Sequence, residues 1–219
     1  MTDVRVRIGP NLDADGSLDI PTGARGLVLF AHGSGSSRKS PRNRHVAHRL
    51  NVAGIATLLF DLLTPAEERI DQMTAEMRFD IGLLAQRLIA ATHWAASVLE
   101  SPMPMGFFGA STGAAAALVA AAQLREGIRA VVSRGGRPDL AGPYLPAVTA
   151  PTLLIVGEND PTVLELNRKA AVALKTYTET SIVAGAGHLF EEPGALDRVA
   201  SLAAAWFLRF FRAAQEGTP

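Results

Sequence analysis

The chain has 219 residues, enough for one compact domain with a sizeable core, and its 48% apolar and 19% charged residues exclude disorder as the main state. Lys plus Arg and Asp plus Glu number 21 each, so no net field draws the protein to nucleic acid or to an anionic membrane. Cysteine is absent, which excludes disulfides, thiolate metal sites and a cysteine nucleophile.

The start, Met1-Thr2-Asp3-Val4-Arg5, alternates charge with apolar residues and has no apolar signal core. Residues 4–8 and 17–20 read as two short strands, joined by a turn-rich segment with Gly9, Pro10, Asn11, Asp15 and Gly16. From there short apolar runs at 26–31, 55–60, 105–108, 128–133, 152–156 and 180–183 alternate with helical patterns. The helices are expected at 42–53, 79–97, 112–124, 163–174 and 195–212. In 79–97, Ile81, Leu84, Leu88 and Ala91 recur at helical spacing. Continuous apolar strands separated by helices mean a parallel sheet covered on both faces. The expected class is therefore α/β: one domain over 1–219, a doubly wound, mainly parallel sheet begun by an antiparallel hairpin. The only insertion is lid-like and short, about 62–78. Thr64 with Glu67 is a capping-box pattern and Pro65 suits a first helical turn, so a short helix is expected at roughly 65–75. Residues 215–219 read as a frayed tail. The longest small-apolar run, 114–122, falls short of the ~20 residues that cross a bilayer.

Gly109-Ala110-Ser111-Thr112-Gly113 joins an apolar run to a helical one. A serine on so sharp a turn is lifted above the sheet, with small neighbours two positions either side and a helix N-terminus aimed at it. By itself the pentapeptide reads equally well as a tight turn. A serine hydroxyl needs a base, and the base needs an acid to orient it. The runs at 152–156 and 180–183 end in Gly157-Glu158-Asn159-Asp160-Pro161 and Ala184-Gly185-Ala186-Gly187-His188, offering Asp160 and His188 in the order the fold requires. The bland readings are a helix N-cap for Asp160 and a surface loop residue for His188; Glu158 is the reserve acid. The developing oxyanion needs amide donors. Thr112 supplies one, and the loop His32-Gly33-Ser34-Gly35-Ser36-Ser37 the other, with Ser34 first and Gly35 next. That loop lacks the Gly-Lys-Ser/Thr ending of a phosphate-binding P-loop. His32 is expected to brace it.

Taken together, LVLFAHGSGSSRKSPRN (27–43), LLFDLLTPAEE (58–68), GFFGASTGAAAALVAA (106–121), VVSRGGRPDL (131–140), PTLLIVGEND (151–160) and AGHLFEEPGAL (186–196) resemble the α/β-hydrolases of the dienelactone-hydrolase-like family. The match is to the small single-domain branch of predicted hydrolases and esterases, and it spans nearly the whole chain. The resemblance implies the α/β-hydrolase fold, Ser111, Asp160 and His188 as a triad, and neither a metal nor an organic cofactor. Dienelactone hydrolases proper use a cysteine, which this chain lacks, so the resemblance favours a serine esterase.

The expected function is hydrolysis of carboxylic esters of small acyl or lactone substrates through an acyl-enzyme. The rivals are a lactonase or dienelactone-type hydrolase, an acyltransferase or perhydrolase with the same triad, and a catalytically silent scaffold. Arg38, Arg134 and Arg137 follow strands whose carboxyl ends should frame the site. They are read either as substrate-binding or as loop braces paired with Asp61 and Asp139. His45, His48 and His93 lack metal-binding companions at a useful spacing. The expected partner is a small-molecule ester or lactone in the cytoplasm, with no nucleic acid and no membrane, and with room for a homo-oligomer.

Overall fold

The computed structural model describes the backbone of residues 2–216 and the side chains of 2–212. Eight strands form one sheet in the order β1-β2-β4-β3-β5-β6-β7-β8. Strands β1 (Thr2–Gly9) and β2 (Leu12–Asp19) form an antiparallel hairpin, and β2 pairs antiparallel with β4 (Ala56–Phe60). The strands β3 (Leu27–Ala31), β5 (Met105–Ala110), β6 (Ala130–Arg134), β7 (Thr152–Gly157) and β8 (Thr178–Val183) continue the sheet in parallel. All residues of β3, β4, β5, β6 and β7 are buried, as strands covered on both faces must be.

Two apolar layers hold the sheet. Helices α1 (Pro41–Val52) and α6 (Ala195–Glu216) cover one face, where Leu50, Phe207 and Phe211 meet Val28, Phe30 and Phe108. On the other face α3 (Ile81–Val98) and α4 (Thr112–Leu124) place Leu88 and Leu118 in a layer with Leu29 and Phe107. Helix α5 (Pro161–Ala173) adds Ala170 to that second layer. Each fully buried Leu or Phe contributes about 1.5–3 kcal/mol. The alanines from Ala114 to Ala121 are buried because α4 packs at once on the sheet, on α3 and on residues 138–147.

The hairpin departs from its sequence reading. Asp13, Asp15 and Gly16, expected in the connecting turn, lie within β2. Arg5 and Arg7 on β1 bond the carboxylates of Asp15 and Asp13, cross-strand pairs that offset the poor strand propensity of these residues. A 3-10 stretch at Pro138–Ala147 also carries no apolar periodicity, since Pro138, Pro143 and Pro146 interrupt it; it packs on α4. The helix expected in the insertion is α2 (Pro65–Thr74), closed by the Thr64–Glu67 capping box. Of the tail expected over 215–219, Gln215 and Glu216 continue α6, and 217–219 lie outside the described residues.

Candidate active site

Strand β5 ends at Ala110, and Ser111 then adopts φ +50° and ψ −122° before α4 begins. A serine in such a conformation carries about 1–3 kcal/mol of strain and persists only where its surroundings leave no alternative. They do so here through two glycines. A side chain on Gly109 would lie 2.4 Å from Ala114 Cα, and one on Gly113 would lie 2.1 Å from the Ala31 carbonyl oxygen. The turn is also tied to the loop after β6: Ser111 N donates to Arg134 O at 3.3 Å, and Arg137 N donates to Ser111 O at 3.1 Å. The Ser111 hydroxyl makes no hydrogen bond among the described residues, and it stands at the N-terminus of α4, whose first-turn amides have no partner within the helix.

The loops after β7 and β8 bring Asp160 and His188 together. His188 Nδ1 lies 2.6 Å from Asp160 Oδ2. A carboxylate there holds the proton on Nδ1, which leaves Nε2 of the neutral ring as the basic nitrogen. Asp160 also caps α5, its Oδ1 accepting from Val163 N at 3.4 Å, so one carboxylate meets the helix and the His188 ring together. The reserve acid, Glu158, instead accepts from Gly185 N at 2.7 Å and braces the histidine loop. Gly135, next in the chain after Arg134, reaches the same place. A side chain on it would stand 3.1 Å from His188 O and 3.6 Å from His188 Cε1. The loop after β6 thus contacts Ser111 through its backbone and His188 through Gly135. Phe190, two residues past His188, is buried with φ +57°, a backbone state for which an aromatic residue gives no sequence signal.

The loop after β3 meets the turn from the other side. Ser34 N donates to the Thr112 hydroxyl at 3.0 Å, so this amide reaches the residue that follows Ser111. Gly35, at φ +66°, has an amide with no acceptor among the described residues. His32 is structural. Its Nε2 accepts from Leu62 N at 3.0 Å, its Nδ1 meets Gly33 O at 3.0 Å, and burial pushes its pKa below the usual 6.5.

The three arginines separate by partner. Arg38 Nε lies 3.4 Å from Asp61 Oδ2, with Asp3 and Asp15 also within reach of its guanidinium. Arg137 forms a two-pronged bond to Asp139 at 2.9 and 2.8 Å, which raises its pKa. Both have the carboxylate partners, Asp61 and Asp139, that the brace reading names. Arg134 has no carboxylate partner among the described residues. A cavity of about 650 Å³ runs along Ser34, Gly35, Arg38, Arg42, Asp61 and Leu63; Ser111 and His188 are not among its lining residues. Among the described residues no three His, Asp or Glu side chains could hold a metal ion. His45 Nε2 meets Asp197 Oδ1 at 3.0 Å instead.

A strained serine between a parallel strand and a helix, linked through the loop after β6 to an Asp–His pair on later loops, is the arrangement of an alpha/beta hydrolase. Residues 24–204 match the alpha/beta hydrolase domain family, and the chain belongs to it. Among its relatives is a structure described as a dienelactone hydrolase from Anabaena variabilis. It is 56% identical, covers 95% of this chain and 97% of that one, and superposes with a TM-score of 0.91. Two strains of Mycobacterium tuberculosis carry a protein named "Putative phosphoribosyl transferase" that is 57% identical over 207 residues. The match takes in 94% of this chain and 46% of the mycobacterial protein, so the chain spans about half the length of these relatives. Est1E from Butyrivibrio proteoclasticus, 16% identical, shares the fold with a TM-score of 0.79 over 96% of this chain and 99% of its own. The family and the Anabaena relative support hydrolase activity. No helix among the described residues is long and apolar enough to cross a membrane.

Proposed function

We propose that the protein is a serine hydrolase that cleaves carboxylic esters of small acyl or lactone substrates. Ser111 Oγ attacks the ester carbonyl while His188 Nε2 takes its proton, and Asp160 holds the resulting imidazolium in place. The oxyanion is received by the amides of Thr112 and Ser34, the latter exchanging the Thr112 hydroxyl for it; Gly35 is the next donor. His188 returns the proton to the leaving alcohol. Water, activated by the same nitrogen, then resolves the acyl-enzyme. The steps draw their nucleophile and base from side chains, so the proposed reaction takes no metal or organic cofactor, and it is placed in the cytoplasm. The observation that carries the reading is the 2.6 Å pair of His188 with Asp160, set against the loop that also bonds the strained Ser111.

The enclosure favours short acyl groups. The insertion offers only α2 and a 3-10 turn at Met77–Phe79, and it leaves Ile70, Met73 and Phe79 exposed rather than turned into a groove. A long acyl tail would gain roughly 0.8 kcal/mol per methylene only if it were buried. Turnover of 4-nitrophenyl esters is expected to peak between acetyl and butyryl, and Ser111→Ala to lower it about a millionfold. Efficiency that climbs steadily to long chains, or a variant keeping a tenth of the activity, would overturn the reading. The mycobacterial relatives' name points to group transfer to or from a phosphoribosyl unit. The residues shared with them are mostly those of the hydrolase domain, so that activity is not proposed for this site.

A further inference from the structure

Arg134 closes β6 with a side chain that is nearly all inside the protein, the residue being 8% exposed. None of its guanidinium nitrogens is hydrogen-bonded among the described residues, and Nε and Nη1 are also shut off from solvent. Among the described residues its guanidinium meets the Phe190 ring, whose centroid lies 5.9 Å from Cζ. Burial, and then the neighbouring charge of Arg42, bring its pKa down to about 10, so it stays cationic at neutral pH. Arginines are almost never buried without a partner, because an unpaired charge loses its hydration for nothing. Arg42 is less buried and only partly paired. It is the second residue of α1, its Nε is buried and unpaired, and only its Nη1 finds a partner, the exposed Glu191 at 2.9 Å. Two cations thus feel one another's charge, and only Arg42 meets a carboxylate, the exposed Glu191, whereas Arg38 and Arg137 are balanced.

Their place in the site is defined on both sides. Arg134 O receives the Ser111 amide, and Gly135 packs on His188. Arg42 lines the cavity along Ser34 and Gly35, and also a cleft of about 410 Å³ along Phe190 and Glu191. The pair therefore lies between the candidate oxyanion loop and the histidine loop. We propose that Arg134 and Arg42 form an anion subsite that receives a carboxylate or phosphate group carried by the ester substrate. An oxyanion there would supply an acceptor that the pair lacks, in a charge-assisted hydrogen bond. The proposal rests on the ester-hydrolase reading for the word substrate, but the anion site itself does not depend on turnover.

The test therefore has two arms. In the first, Tm is measured with succinate alone and with inorganic phosphate alone, for the wild type, Arg134→Met and Arg42→Gln. A ligand that binds only the native state raises Tm. The wild type should respond to at least one anion, and which one identifies carboxylate or phosphate as the group. Arg134→Met should respond to neither, and without anion it should melt higher than the wild type, because an unpaired buried charge has been removed. Arg42→Gln should respond less than the wild type. In the second arm, kcat/KM for 4-nitrophenyl hemisuccinate is divided by that for 4-nitrophenyl butyrate. This ratio should fall about tenfold or more in Arg134→Met and in Arg42→Gln, the loss expected for a hydrogen bond to a charged group. A wild type indifferent to both anions, or equal responses in all three proteins with an unchanged ratio, would overturn the anion subsite while leaving the serine reading in place. Anion responses lost in Arg134→Met from a protein that hydrolyses no ester would support the subsite and overturn the serine reading instead.

Discussion

The turn that carries Ser111 and the insertion between β4 and α3 frame the same edge of the sheet, yet they are held by opposite means. At the turn, position is imposed by exclusion. Gly109 and Gly113 approach backbone atoms too closely for any side chain, and the strained serine has no room to relax. In the insertion, position is held by polar contacts. The capping box fixes one end of α2, and at the other Asp71 accepts from Met77 N at 2.8 Å, Arg78 N at 3.0 Å and Arg78 Nε at 2.6 Å. Steric exclusion does not respond to pH or salt, whereas a carboxylate network does. Under the proposed function, the chemistry sits on the rigid side, and the part proposed to limit acyl length is the adjustable one.

The largest effect that would sharpen this contrast is at the Asp–His pair. Asp160→Asn is expected to lower ester turnover about ten-thousandfold, because the amide favours the wrong histidine tautomer. Glu158→Gln should act mainly through loop order, with Glu158 bonded to Gly185 N rather than to the ring. Measured turnover in the two variants decides between the acids: a crippled Glu158→Gln beside an active Asp160→Asn would reverse the assignment.

A smaller effect belongs to the insertion. Asp71→Asn removes the charge that holds three donors, at about 2–3 kcal/mol of local stability. Amide exchange over 65–79 should accelerate while reaction of Ser111 with a small ester changes little. Burial pushes the Asp71 carboxyl up, but its bonds to Arg78 outweigh this and hold it below the ordinary 3.8. The stability it lends is therefore complete above that value and is lost as pH falls through the lower folded pKa. Exchange at 65–79 in the wild type should rise on acidification below pH 4, and the rise should be absent from Asp71→Asn. An insertion whose loosening silences Ser111 as strongly as Asp160→Asn would break the comparison.

Much of this was legible in the sequence because it depends on local rules. Alternating runs give the sheet, Gly109 and Gly113 mark the turn, and Thr64 with Glu67 announces α2. The Asp61 partner of Arg38 was legible, but Asp3 and Asp15 were not, since they lie on β1 and β2 and meet it only once the hairpin has docked. The same holds for Arg134, whose isolation is a property of the surrounding packing. The 3-10 stretch at Pro138–Ala147 follows no periodic pattern, being shaped by the α4 surface it covers.

The central claim is an activated nucleophile at Ser111, and reaction with a fluorophosphonate probe tests it most directly. The folded wild type should take up the probe at Ser111, with no labelling of Ser111→Ala or of the heat-denatured chain. A folded wild type that fails to react, or undiminished labelling of Ser111→Ala, would contradict it.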